Sequence, residues 1–383
     1  MKVFISSVNI ANIITGYQSG FNYNGHEVVV LEKEKSKYYE SNNFKKIYRF
    51  LDNINFKLKF MNLIKEKIDY TIQNFRCKIF LKKHIKTTDL FVFIWSPIRS
   101  NILTDYRYLK KKEKKIITVF VGSDVRYTPA FVMQYKIKEV SGWNYDMNDE
   151  DLNQKLKYIR IAELYSDMIL SVPDQSGLAI RNFNHFFLPI DLKRYKLKLM
   201  ENVIPKIIHA PTRKGAKGTD FFIKVLNQLK QEGIQFEFTL IQNLNNNELL
   251  NLLTESDILL DELYAHGPGM LSTEAMALGC VVVTKKDLTN TAIFDAPICN
   301  VSLENLYDVI KGLILDKNKR QEIALKARKY VEENNESKLV VNKIMQKLKT
   351  NSTEYKPEFF LKHEKTSIFN GITNSNLELA EKA

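Results

Sequence analysis

The chain has 383 residues and a formal net charge of +13, with 44% hydrophobic and 26% charged residues. This balance excludes a disordered chain, and the length suits two domains of moderate size better than a single core. The longest apolar stretch, near Leu90–Trp95, is far shorter than the roughly 20 residues of a membrane span. The first residues are typical of a β-strand and not of a secretory signal.

Three cysteines lie far apart in the sequence and in apolar surroundings: Cys77, Cys280 and Cys299. Their odd number and the missing C-x-x-C spacing predict buried free thiols. A cytoplasmic, reducing location is the corresponding expectation.

Short β-branched or aromatic runs alternate with amphipathic segments of helical length, which predicts an α/β fold with two Rossmann-like parallel sheets. The predicted strands of the first half are Val3–Ser6, Glu27–Leu31, Leu90–Trp95, Ile116–Val121 and Met168–Val172. Those of the second half are Lys206–Ala210, Phe236–Ile241, Ile258–Leu260 and Val281–Thr284. Helical spacing predicts helices at Phe221–Leu229, Leu303–Leu315 and Lys319–Val331.

Strand signals pause at Asp191–Pro205, so we predict domains at residues 1–190 and 191–350. The polar tail, residues 351–383, either packs back across the domains or stays loose. Gln134–Lys157 is predicted to be an inserted loop or lid. It contains a D-x-D sequence, Asp149–Asp151, which we interpret as solvated loop and not as a Mn²⁺ site.

The basic excess belongs to the first half, where residues 1–190 contain 30 Lys and Arg against 19 Asp and Glu. Basic and aromatic residues alternate through Asn43–Lys86. This pattern is typical of a contact with an anionic membrane surface, and a solvated helical face explains it equally well. Nucleic acid is a weaker alternative because no recognised binding module accompanies the charge.

Two segments of the second half contain the residue types of a phosphate site. In His209–Leu229 a strand leads into a loop with Gly215 and Gly218, and a helix begins near Thr219 or Asp220. The loop cations, Arg213, Lys214 and Lys217, lie where a helix N-terminus presents free N–H groups, which favours binding of a diphosphate. A solvated basic turn is the alternative.

The second segment is Asp261–Thr284. There a strand leads into the loop Gly267–Gly269 and then into a short helix that ends at Gly279. Glu274 is a single acid among apolar residues of this helix, so it either faces a pocket or needs a partner. Such a carboxylate can accept hydrogen bonds from both hydroxyls of a ribose, and an exposed helical glutamate is the alternative.

The order and spacing of these segments resemble the donor site of glycosyltransferase family 4, which has the GT-B architecture of two Rossmann-like domains facing a central cleft. Leu188–Tyr195 resembles the family's interdomain segment, Asn24–Glu32 its second strand and Leu306–Asn334 its helical C-terminus. The resemblance covers roughly residues 1–348 and is strongest from Leu188 to Val331. It implies an acceptor-binding first domain and a second domain that binds the nucleotide sugar.

Residue by residue, the resemblance implies that Arg213 and Lys217 hold the donor diphosphate and that Glu274 binds the ribose. The backbone of three further residues is implied to lie against the phosphates: Gly269, Met270 and Leu271. The family's first glutamate corresponds to His266, a departure that leaves the donor sugar open. His266 could donate to a sugar hydroxyl or to the phosphate, and a loop histidine without a role is the alternative. Glu262 is near but has the wrong spacing.

In the first half, the loop after the first strand contains Gly16 and Gly20, and the resemblance places it over the cleft, in contact with donor and acceptor. Val119–Tyr127 leaves the sheet at a strand's carboxyl end, where α/β ligand sites form. We assign Asp124 an acceptor-orienting or proton-handling role, with a cap on the next segment as the alternative.

The implied activity is a metal-independent, retaining transfer of a hexosyl group from a nucleoside-diphosphate sugar to a glycan or lipid-linked acceptor. No cofactor is expected. The implied context is bacterial surface polysaccharide or lipopolysaccharide assembly at the inner face of the cell membrane. A GT-B epimerase that acts on sugar nucleotides and a catalytically inactive scaffold remain alternatives.

Overall fold

The computed structural model describes residues 1–34, 44–49, 59–94, 102–134, 152–171, 178–181, 183–199, 202–286 and 295–350. Two parallel sheets with helices on both faces form this part of the chain. Among the described residues, no helix combines the length and the apolar character that crossing a bilayer requires.

The first sheet has the strands β1 (Lys2–Val8), β2 (Glu27–Glu34), β3 (Lys45–Lys46), β4 (Leu90–Ile94), β5 (Lys115–Phe120), β6 (Met168–Ser171) and β7 (Asn184–His185). Its helices are α1 (Ile13–Tyr23), α2 (Lys59–His84), α3 (Ile102–Lys110), α4 (Thr128–Gln134) and α5 (Leu152–Tyr165). The strand order is β3-β2-β1-β4-β5-β6-β7. Because side chains alternate along a strand, Val3 and Ile5 pack on the face covered by α1, and Phe4 packs on the opposite face with α2.

The second sheet has the strands β8 (Lys206–His209), β9 (Glu237–Leu240), β10 (Ile258–Leu260), β11 (Val281–Thr284) and β12 (Cys299–Asn300). Its order is β9-β8-β10-β11-β12. The helices of this half are α6 (Lys214–Lys217), α7 (Thr219–Gln231), α8 (Asn246–Thr254), α9 (Met270–Leu278), α10 (Leu306–Leu315), α11 (Lys317–Asn334) and α12 (Ser337–Thr350).

The ends of these helices follow from local sequence. Asn245 and Glu248 form a reciprocal capping box at the start of α8. The Asp316 side chain accepts from the Lys319 amide at the start of α11. Helix α9 ends at Gly279, whose φ of 98° is readily adopted only by glycine, and a Cβ there would lie 2.8 Å from the Lys198 carbonyl oxygen.

The two halves are tied together where the chain passes between the sheets. Ile190 pairs with the backbone at Glu336, and α12 packs against α1 of the first half. The Asp191 carboxylate accepts a hydrogen bond from the Tyr23 hydroxyl. The chain therefore crosses back to the first half at α12, before the tail begins.

Every predicted strand is present in the described residues, within one or two positions of its expected ends, except that β2 continues three residues further, to Glu34. The predicted α7 begins at Thr219, and the two C-terminal helices are α10 and α11. Helix α12 was not predicted. Trp95, Val172, the acidic sequence Asp149–Asp151 and the tail lie outside the described residues.

Three expectations need correction. Gly16 and Gly20 lie inside α1 and not in a loop. A Cβ at Gly16 would collide with the backbone of Pro189 and one at Gly20 with that of Ser337, so these glycines allow α1 to pack closely on the segment between the sheets and on α12. The predicted insertion 134–157 is helical from Leu152 onward.

The third correction concerns the cysteines. All three are free thiols, and Cys77 and Cys280 are buried as predicted. Cys299 is only half-buried because it lies in β12, the strand at the edge of the second sheet.

Candidate functional site

A cavity of about 460 Å³ opens at the carboxyl ends of the strands of the second sheet. Its walls come from the segments that follow β8, β9 and β10 and from the first turn of α9. The strand order reverses between β8 and β10, and ligands of open α/β sheets bind at such a reversal. Ile10 and Ala11, which follow β1, close the cavity from the first sheet.

The N-terminus of α9 forms one wall of this cavity. Its N-cap is Gly269, which has no side chain to accept from the first backbone N–H groups. Met270 and Leu271 also line the cavity. Since the free N–H groups and the helix dipole present partial positive charge, this wall suits an anion. All three residues of the predicted phosphate-binding segment are therefore placed at the cavity.

The ammonium group of Lys217 lies between two carboxylates of this cavity. Its Nζ is 2.5 Å from Asp261 Oδ1 and 2.6 Å from Glu262 Oε1. Asp261 also accepts from the Ser272 hydroxyl of α9. Burial disfavours the ammonium ion, but the two carboxylates outweigh that effect and raise the pKa of Lys217 above its ordinary value. Lys217 therefore stays charged and is fixed close to the N-terminus of α9.

The basic pair at the cavity differs from the predicted one. Lys214 and Lys217 line the cavity, whereas Arg213 is exposed at the N-cap of α6 and does not line it. Gly215 lies within α6 and not in a loop. Gly218 has a φ of 72° and links α6 to α7, and a Cβ there would meet the Leu263 side chain.

Glu274 lies behind the wall of the cavity. Its side chain is fully buried, so the alternative of an exposed helical glutamate is wrong. It accepts from the Tyr195 hydroxyl at 2.9 Å and from Asn246 Nδ2 at 3.4 Å. Burial raises the pKa of Glu274 to about 7, although both hydrogen bonds act in the opposite direction. Asn246 itself lines the cavity, so Glu274 is one hydrogen bond away from it.

A second chamber of about 200 Å³ adjoins the first. The two share five residues from both halves of the chain: Ile10, Ala11, Glu262, Gly269 and Met270. His266 lines the second chamber, and its ring is in T-shaped contact with the Phe131 ring at a centroid distance of 5.2 Å. The Arg126 guanidinium lies 4.3 Å from the centre of the same Phe131 ring. His266 thus faces the cleft beside a cation of the first half.

Asp124 lies beneath the loop that borders the second chamber. Its carboxylate accepts from the backbone N–H groups of Val121 and Gly122, at 3.1 and 2.7 Å. These partners precede it in sequence, so it does not cap the segment that follows. Burial raises the pKa of Asp124 to about 7, against the effect of these hydrogen bonds. Val121 and Arg126 line the second chamber, which makes Asp124 a support for that wall.

Several residues of the site were not singled out from the sequence. Asp261 and Asn246 are polar residues just after β10 and at the start of α8, positions at the carboxyl edge of the sheet that could have marked them. His209 donates from Nδ1 to the Leu260 carbonyl and accepts at Nε2 from Thr219. Burial lowers the pKa of His209 to about 4, so it is neutral and joins β8, β10 and α7.

Among the described residues, no group of three or more His, Cys, Asp or Glu side chains is placed to hold a metal ion. Of the acidic and imidazole groups that line the two chambers, Asp261 and Glu262 are paired with Lys217, and His266 is in contact with the Phe131 ring.

Neither a family model nor a curated protein matches the sequence. Among solved structures, sucrose-phosphate synthase from Thermosynechococcus elongatus is similar with a TM-score of 0.59 and 13% identity, over 92% of this chain and 99% of that one. WaaG, a glycosyltransferase involved in lipopolysaccharide biosynthesis, is similar with a TM-score of 0.54 and 14% identity, over 92% of this chain and 100% of that one.

A third similar structure is the catalytic domain of starch synthase IV from Arabidopsis thaliana bound to ADP and acarbose. It gives a TM-score of 0.54 and 10% identity, over 92% of this chain and 99% of that one. These similarities span both sheets and show that the chain has the GT-B fold of glycosyltransferases. At such low identity they show the fold alone, and the activity must be argued from the site.

Proposed function

We propose that the chain is a metal-independent glycosyltransferase that moves a hexosyl group from a nucleoside-diphosphate sugar to a hydroxyl of a glycan or lipid-linked acceptor, with retention at the anomeric carbon. The observation that carries the proposal is the pair of chambers that meet at Gly269 and Met270. A diphosphate placed there faces the N-terminus of α9, with a larger space on one side and a smaller one on the other.

The larger chamber fits the nucleoside. Its lining combines the apolar side chains of Ile241, Leu244 and Leu249 with the amides of Asn243 and Asn246. Pockets for small ligands commonly combine an apolar lining with a few polar groups that fix orientation. In this placement the ribose lies nearest Asn246, with the Glu274 carboxylate behind it.

The smaller chamber fits the sugar and the attacking hydroxyl. Glu262 lines both chambers, and His266 and Arg126 line the smaller one. Carboxylate, imidazole and guanidinium groups can all hydrogen-bond to sugar hydroxyls. The resemblance expects a glutamate at the donor sugar, in the position where this chain has His266. Because Glu262 lines the same chamber, we assign the contact with the donor sugar to Glu262.

Transfer breaks the bond between the anomeric carbon and the diphosphate oxygen, and the acceptor oxygen forms its bond on the same face. The acceptor proton passes to the departing diphosphate, which gains negative charge. Lys217 has three N–H donors, of which Asp261 and Glu262 take two, so the third can be donated to that diphosphate. Oriented donors that meet developing charge typically lower a barrier by about 2.7–4 kcal/mol each.

The formal charges that line the larger chamber balance, since Lys214 and Lys217 face Asp261 and Glu262. Attraction of the diphosphate therefore depends on directed N–H groups of Lys217 and α9 and on Lys214 more than on net charge. As the biological setting we propose surface polysaccharide or lipopolysaccharide assembly; one protein of the same fold, WaaG, is a glycosyltransferase involved in lipopolysaccharide biosynthesis.

The direct test is to titrate the purified protein with UDP-, GDP- and ADP-sugars and to measure the shift of its melting temperature. One nucleotide class should stabilise the protein, and transfer should then be measured with that donor. Product analysis without acceptor separates a transferase from an epimerase, which would change the sugar with no acceptor present. A scaffold would bind the donor with neither reaction.

Lys214 offers a clean variant for this test because it is exposed, lines the chamber and forms no ion pair with a described residue. Lys214→Ala should weaken donor binding about tenfold or more, since a hydrogen bond to a charged group contributes about 1.5–3 kcal/mol. Its melting temperature without donor should not change. Lys224→Ala on the exposed side of α7 is the matched control, and equal donor affinities of the two variants would refute the diphosphate site.

A further inference from the structure

Helix α2 has an unusual distribution of polar and apolar side chains. Its buried face includes Asp69 and Gln73 as well as Cys77 and Leu81. Gln73 Nε2 donates to the carbonyl oxygens of Lys33 and Ile47, so this face is anchored to the first half by hydrogen bonds as well as by packing. The other large apolar side chains of α2 are consequently not required for its attachment.

Most of those side chains point outward. At 3.6 residues per turn, six of them fall within a band roughly 80° wide on the side away from the buried face. We call this band the outer stripe: Met61, Ile64, Ile68, Ile72, Phe75 and Ile79. Each is 40–62% exposed with respect to the described residues, although exposed side chains of this type are normally scattered singly.

Cations border the outer stripe on both sides. Lys67 and Lys78 follow one edge of the stripe on the helical wheel, and Arg76 and Lys83 follow the other. All four are exposed. The two acidic residues of α2 lie elsewhere, since Asp69 is buried and Glu66 is on the far side of the helix.

We propose that the outer stripe of α2 is a membrane-docking surface that inserts its apolar side chains at the headgroup boundary of an anionic bilayer. Helices that lie in the interface plane combine an apolar face with flanking Lys and Arg, which attract anionic lipids. The charge distribution favours an anionic bilayer over two other partners. A second copy of α2 would bring like charges together, and a nucleic acid would place its phosphates against the apolar centre of the stripe.

This surface is separate from the proposed transfer site. No residue of the outer stripe lines either chamber, and α2 covers the face of the first sheet opposite α1 and α12. Docking through α2 would hold the cleft beside the bilayer, within reach of an acceptor carried by a lipid. Failure of docking would leave donor binding intact, so the two proposals can be refuted independently.

The test is flotation of the full-length protein with vesicles of phosphatidylcholine alone and of phosphatidylcholine with about one third phosphatidylglycerol, which gives the vesicles an anionic surface that attracts Lys and Arg. The wild type should float with the anionic vesicles and lose this binding at high salt. The triple variant Ile68→Ser, Ile72→Ser, Phe75→Ser should lower the partition coefficient at least tenfold. A control with Leu252→Ser, Leu325→Ser and Leu339→Ser, exposed on other helices, should bind as the wild type does.

Several outcomes would overturn the proposal. One is equal flotation of the stripe variant and the wild type. A lower melting temperature of the stripe variant with unchanged flotation would mean that residues of this chain cover the stripe. Conversion of a dimer to a monomer in light scattering with unchanged flotation would identify a second copy as the occupant. Loss of DNA binding in a gel shift, again with unchanged flotation, would identify a nucleic acid.

Discussion

The carboxyl edges of the two sheets contribute very different chemistry to the larger chamber. The edge of the second sheet supplies Lys214, Lys217, Asp261 and Glu262, while the loop after β1 supplies the apolar pair Ile10–Ala11. Net charge is distributed the other way, since residues 1–190 have an excess of eleven positive charges and the remainder an excess of two. The excess of positive charge in the first half therefore indicates a basic surface, such as that of α2. The second half, whose net charge is close to zero, can still contain the charged site.

Each half has a buried ion pair, but only the pair of the second half faces a chamber. Arg160 and Glu163 of α5 are 2.6 Å apart, and Glu163 also accepts from the Ile180 amide. Neither residue lines a chamber, so this pair fixes a chain segment of the first half. Lys217 and Asp261 are equally close but face the larger chamber. A buried ion pair becomes a candidate for catalysis only where a ligand can reach it.

The largest expected effect would come from Lys217→Ala. Turnover should fall by about 10²–10³, since one donor to the leaving diphosphate is lost. The free energy of unfolding should fall too, because Asp261 would remain buried without its partner; breaking a buried pair typically costs about 3–5 kcal/mol. Lys217→Arg retains the charge and should recover most of the stability. Urea unfolding measures the loss of stability, and steady-state kinetics measure the loss of turnover. Wild-type turnover per folded molecule in Lys217→Ala would show that Lys217 does not act in the transfer.

A smaller effect is expected at Glu274, which lines a narrow space between the halves together with Asn12 and Thr15 of the first half. Its pKa in the folded protein, about 7, lies above the ordinary value of 4.5. Between these values the folded state binds a proton that the unfolded state has released, so this carboxyl lowers stability progressively as pH rises from about 4.5 to 7.

Glu274→Gln removes this titration and retains an acceptor for Tyr195. The variant should therefore gain roughly 2–3 kcal/mol of stability relative to wild type between pH 5 and pH 8. Urea unfolding at both pH values measures the change, with Glu255→Gln, an exposed glutamate, as the control. Parallel pH profiles of wild type and Glu274→Gln would show that this carboxyl is not buried as described.

The smallest effect is expected from Asp124→Asn, in the first half. An amide oxygen can still accept from Val121 and Gly122, so stability near pH 6 should stay within about 1 kcal/mol and turnover within tenfold. Asp124→Ala leaves both N–H groups without this acceptor and should cost about 1–3 kcal/mol. A hundredfold loss of turnover in a fully folded Asp124→Asn, with a changed pH profile, would instead show that Asp124 handles a proton.

Some of the site followed from sequence because local rules decide it. Gly269 before a short helix, and Gly279 after it, predict where α9 begins and ends, and hence where its free N–H groups lie. Glycine alone was a poorer guide at Gly16. A glycine without a side chain is suited both to a ligand-binding loop and to a close contact of a helix. Only the position of Pro189 in the folded chain shows that Gly16 makes a close helix contact.

The alternation of strands and helices, the parallel sheets and two of the segments that line the larger chamber followed from the sequence alone, because these depend on periodicity and on residues adjacent in the chain. Tertiary structure decided which cation reaches that chamber, which carboxylates hold Lys217, and that Glu274 lies behind the wall. It also turned the apolar residues of the outer stripe outward. Such facts depend on distances between residues far apart in sequence, which packing of the whole chain sets and no local pattern encodes.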